Sequence, residues 1–170
     1  SLAFGNVTTI RAKLDEALDR IGPNPSDVHL DAKGLEKRLR GFVHRVYRGE
    51  DLAKLVLGAV RVQRAHGSLG AFFEARFAET EDLRESLAQL TDAIRDAGEF
   101  TTSGKPWVKG ERRGLSHLLP DPRRGSGSKR LLLFLRWMIR EDDGVDLGLW
   151  SVPARALLVA IRPLDRRTPS

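Results

Sequence analysis

The chemistry in this sequence gathers in one short stretch, Arg123-Arg124-Gly125-Ser126-Gly127-Ser128-Lys129-Arg130. Four cations there surround two glycines and two serines. Small residues let a backbone approach another molecule closely. Ser128 is placed to cap the helix that follows, and the open N–H groups of a helix start attract anions. Backbone amides ringed by guanidinium groups suit a phosphate and read no base sequence. Arg123, Arg124, Gly125, Ser126, Gly127, Ser128 and Arg130 are therefore expected to contact phosphate. Lys129 adds a primary amine, a nucleophile once it is uncharged.

The other reactive residue types exclude more than they offer. There is no cysteine. That excludes disulfides, thiolate metal sites, iron–sulfur clusters and a thiol nucleophile, and it fits a reducing, cytoplasmic setting. His29, His44, His66 and His117 share no i, i+4 spacing, so no metal site and no cofactor is expected. Asp142, Asp143 and Asp146 form an acidic turn that does not match a calcium loop and reads as solvated. His44, beside Arg45 and Arg48, is a surface candidate for a phosphate contact. Trp137, Trp150 and Phe134 fall at apolar helical positions and are expected to pack in the core.

Charge is local. Of the 170 residues, 29 are Lys or Arg and 23 are Asp or Glu, a net +6. Residues 1–100 carry a net −1, residues 101–140 a net +8 and residues 141–170 a net −1. A neutral scaffold with one basic region suits a polyanion partner. The longest apolar run, Leu131–Ile139, is broken by Arg136 and falls far short of the roughly 20 residues that span a bilayer, so no membrane partner is expected. With 41% hydrophobic residues the chain can bury a core.

The elements that must position these residues read as helices. Val7, Ile10, Leu14, Leu18 and Ile21 make one apolar stripe, predicting a helix over Phe4–Ile21 that ends at Gly22-Pro23. Further helices are expected through Leu35 and Leu39, over Asp51–Gln63, after Ser68, and over Glu81–Ala97 with Leu83, Leu87, Leu90 and Ile94 as its stripe. A long break follows Gly98. Short helix Gly114–Leu119, the Pro/Gly/Ser turn, helix Lys129–Arg140 and a last helix over Pro153–Ile161 complete the pattern. No period-2 run of useful length occurs. The expected fold is all-α: one bundle-like domain over residues 1–170, with a helix-hairpin-helix-like element at about 114–140.

The segment GLSHLLPDPRRGSGSKRLLLFLRWMIREDDGVDLGLW at Gly114–Trp150 closely resembles a bacterial and archaeal family of uncharacterised proteins, DUF2400. LAFGNV at Leu2–Val7 and GFVHRVYRGEDL at Gly41–Leu52 resemble it too. That family is similar to the helix-hairpin-helix DNA glycosylases, which dock a hairpin on the DNA backbone and take a damaged base out of the stack. The resemblance implies a DNA-binding protein of base-excision repair. It implies that Lys129, opening the helix after the turn, is a catalytic amine. It also implies that Asp165, in Pro163-Leu164-Asp165, is the catalytic carboxylate. Arg166-Arg167-Thr168 stands where the family has Thr-His, and Pro120-Asp121-Pro122 with a longer turn replaces the glycosylases' Leu-Pro-Gly-Val-Gly. The family runs past both ends of this chain, which therefore reads as the middle of a longer protein. Two other readings of the same residues remain: a helical interaction module docking its basic loop on an acidic protein, and an inactive family fragment.

Overall fold

The computed structural model describes residues 5–100, 113–124 and 128–157. It is an all-α fold. Its described helices are α1 (Val7–Ile21), α2 (Ala32–Leu39), α3 (Gly49–His66), α4 (Leu69–Thr80), α5 (Leu83–Ala97), α6 (Arg113–Leu118) and α7 (Lys129–Ile139). Short 3-10 helices cover Pro25–Leu30 and Pro122–Arg124. A two-residue antiparallel pair, β1 (Val43–His44) and β2 (Tyr47–Arg48), joins α2 to α3, with His44 opposite Tyr47. That hairpin is too short to leave an alternating pattern in the sequence.

Side-chain caps set the helix starts. Asn6 accepts from the Thr9 amide at 2.8 Å, so α1 begins at Val7 and not at Phe4. Asp31 caps α2 through the Gly34 amide at 2.8 Å. Ser68 caps α4 through the Ala71 amide at 2.9 Å. Asp82 accepts from the amides of Arg84 and Glu85 and starts α5. Asp51 reaches back to the Arg48 amide at 2.7 Å and so begins α3 earlier than its apolar run suggests.

Two apolar clusters make the interior. One holds Ala17, Ile21, Leu35, Leu39, Phe42, Tyr47, Leu52 and Leu118. The other holds Phe73, Leu83, Leu87, Leu90, Ile94, Leu115, Leu131, Leu135, Ile139 and Trp150. Helix α6 belongs to both, with Leu118 in the first and Leu115 in the second. The four-residue stripe of α5 is buried throughout, from Leu83 to Ile94. The stripe of α1 is not: Ile21 is buried, while Val7, Leu14 and Leu18 are exposed. Where α3 crosses α5, a β-carbon on Gly58 would lie 2.1 Å from the Ile94 carbonyl oxygen, so only glycine permits that approach.

Of the expected last helix over Pro153–Ile161, residues 158–161 lie outside the described residues, and the described part turns helical only at Ala156 and Leu157. No described helix is long and apolar enough to cross a membrane.

Candidate nucleic-acid interface

Helix α7 is amphipathic. Leu131, Leu135 and Ile139 enter the core. Residues three and four apart share a helix face. Lys129, Leu133, Arg136 and Arg140 follow that spacing on the opposite side, and all four are exposed. This face forms one wall of a groove of about 680 Å³, closed on the other side by Ala154, Arg155 and Leu157. Among the described residues, four cations line it and no carboxylate does. Leu132, Leu133 and Leu157 give it an apolar floor.

The loop after α7 holds this wall in place. The amides of Leu147 and Trp150 donate to the carbonyls of Trp137 and Met138 at 2.6 and 2.8 Å, satisfying acceptors that a helix end leaves open. Asp146 is fully buried beneath the cations. Its Oδ2 lies 3.4 Å from Arg136 Nε and 3.3 Å from Arg140 Nη1. Its Oδ1 has no hydrogen-bond partner among the described residues. The expected solvated acidic turn is thus corrected at Asp146, which the turn aims inward. Asp143 makes that turn. Its carboxylate accepts from the amides of Asp146 and Val145, which hold its pKa below the usual range.

Of the residues expected to bind phosphate, the structure describes the side chains of Arg123, Ser128 and Arg130. Arg123 is an internal clamp. Its Nε and Nη2 each lie 2.9 Å from a Glu85 oxygen, and Nη1 lies 2.8 Å from Asp92. The bond from Arg123 pulls the Glu85 carboxyl below its ordinary pKa, and Glu85 raises that of Arg123. Ser128 does not cap α7. Its φ and ψ of −77° and 2° are already near-helical, its side chain is buried, and its hydroxyl meets no partner among the described residues. Arg130 turns inward. It donates to Tyr47 Oη at 2.7 Å and to the His117 carbonyl at 2.8 Å. Tyr47 Oη also lies 2.8 Å from His117 Nδ1, so an acceptor role for Nδ1 lets the phenol receive from Arg130 and donate to the ring.

Lys129 is exposed, and among the described residues nothing pairs with it. Gly125, Ser126, Gly127, Asp165 and the side chain of Arg124 lie outside the described residues. His44 is buried, not at the surface, with its ring 5.9 Å from that of Tyr47. Trp150 packs as expected, stacked on Phe73 at 5.0 Å, with Phe134 edge-on at 5.5 Å. Trp137 departs from expectation and is exposed. Sequence reasoning passed over Arg136, Arg140 and Arg155. The i, i+4 spacing of the first two, one turn beyond Leu133, was the available signal.

Fold and site define an all-α protein with a cationic groove along one helix. The model of a family described as "protein of unknown function (DUF2400)" matches residues 1–168, and the chain belongs to that family. No curated protein and no solved structure matches it.

Proposed function

We propose that this protein binds DNA through its backbone phosphates, as a base-excision repair protein resembling the helix-hairpin-helix glycosylases would. One observation carries the reading: Lys129, Arg136, Arg140 and Arg155 converge on a groove that no carboxylate lines among the described residues. Surface cations are normally interspersed with acids. Of the acids near these arginines, Asp146 is buried behind Arg136 and Arg140, and Asp143 is held by the amides of Val145 and Asp146, outside the groove lining. The contact surface is the exposed face of α7. Arg123 and Arg130, spent on internal partners, contribute little to it.

The test is fluorescence anisotropy of a labelled duplex at rising salt. Affinity falls with log salt by a slope of roughly 0.9 for each phosphate neutralised. Replacing Arg136 and Arg140 by Gln lowers that slope by about two and weakens binding at every salt. Arg123→Ala leaves the slope unchanged. A double variant that binds as tightly as the parent sinks the reading. Binding to an acidic protein with no binding to DNA would favour the interaction module instead.

A further inference from the structure

Phosphate binding leaves Trp137 unexplained. Its side chain is 39% exposed, while Trp150 of the same core region is 8% exposed. An indole is among the most costly side chains to leave in water, and it earns its place at surfaces by stacking. Trp137 lies four residues after Leu133 and three before Arg140, so it borders both on the helix surface. Leu133 and Arg140 line the cationic groove. Leu147, whose amide donates to the Trp137 carbonyl, is exposed beside it. The face therefore offers cations and an open aromatic side by side.

A duplex presents phosphates and keeps the faces of its bases stacked. An unpaired strand presents both together. Aromatic side chains in a basic groove bind such strands with little sequence preference, because every base has a π-face. We infer that the α7 face takes single-stranded DNA, with one base stacked on Trp137 and the flanking phosphates on Arg136 and Arg140. The inference rests on the DNA-binding reading above and specifies the strand form. A flat anionic membrane fits less well, since Arg155 and Leu157 make the surface a groove, which a strand can enter.

The experiment compares a labelled oligothymidine of roughly 12 nucleotides with a blunt duplex of equal length at low salt. The single strand binds more tightly. Trp137→Ala weakens single-strand binding roughly ten-fold and leaves duplex binding unchanged, whereas Trp137→Phe retains most of the affinity. Circular dichroism melting of both variants establishes that they are folded. Three outcomes overturn the inference: a duplex preference, a folded Trp137→Ala variant with full single-strand affinity, or phosphatidylglycerol vesicles displacing the strand while Trp137→Ala abolishes only vesicle binding. If duplex binds through Arg136 and Arg140 but the single strand binds no better, this inference falls and the DNA-binding reading stands. If neither form binds, both fall.

Discussion

The guanidinium of Arg130 donates to the phenol oxygen of Tyr47 at 2.7 Å, joining residues 83 positions apart. Tyr47 is fully buried in the cluster formed by α1, α2 and the start of α3, while Arg130 sits in the first turn of α7. His117, on α6 between them, receives from Arg130 through its carbonyl. The bond therefore ties the cationic helix to the far side of the molecule. Hydrogen bonds to charged groups contribute about 1.5–3 kcal/mol. Tyr47→Phe removes the phenol oxygen and keeps the ring. It should lower the urea midpoint by an amount equivalent to about 2 kcal/mol while leaving DNA affinity of the folded protein intact. An unchanged midpoint would show that the bridge does not hold α7.

The clamp of Arg123 on α5 has a pH signature. Glu85 has its folded pKa depressed, first by the hydrogen bond from Arg123. A depressed carboxylate adds stability that is fully present above its unfolded value, near 4.5. That stability is lost as pH falls through the folded value. Melting temperature should drop below about pH 4.5, and Arg123→Ala should flatten that part of the drop. Both groups are about one-third exposed, so solvent screening keeps the effect modest. Parallel acid limbs in parent and variant would count against the clamp.

These pairings mark where sequence reading stops. The α5 stripe was legible because local periodicity and burial agree there, from Leu83 to Ile94. The α1 stripe has the same period, yet Val7, Leu14 and Leu18 meet no covering element among the described residues. Periodicity reports a face, not a partner. The basic region was legible as a charge total, but its allocation was not. Arg123 is neutralised by Glu85, 38 residues upstream on α5, a pairing that no local pattern encodes. Asp146 reads as one acid in a polar turn, and only the packing of the loop on α7 buries it.

Trp150 predicts a steric test. A β-carbon on Gly70 would lie 2.7 Å from Trp150 Nε1 and 2.8 Å from its Cδ1. The indole is held between Phe73 and Phe134, so it meets the added methyl unless it shifts toward the cavity beside it. Gly70→Ala should therefore destabilise the fold by about 1–3 kcal/mol, although alanine favours a helix. A raised melting temperature would mean that the ring swings aside at no cost.

Lys129 is the one amine in the groove lining, and among the described residues it has no internal partner. The glycosylase-like part of the proposal gives it a covalent role. On an abasic site the ring-opened sugar carries an aldehyde at C1′. The uncharged amine attacks that carbon, water leaves, and an imine joins protein to DNA. Borohydride then reduces the imine to a stable secondary amine. A band of protein cross-linked to an abasic duplex should appear on a denaturing gel after borohydride treatment. Lys129→Ala should remove it, while Lys129→Arg should also remove it but keep the salt-dependent affinity, because arginine preserves the charge without a nucleophilic amine. A cross-link that survives both changes assigns the chemistry to another amine. An absent cross-link in a parent that binds the same duplex leaves Lys129 a phosphate contact.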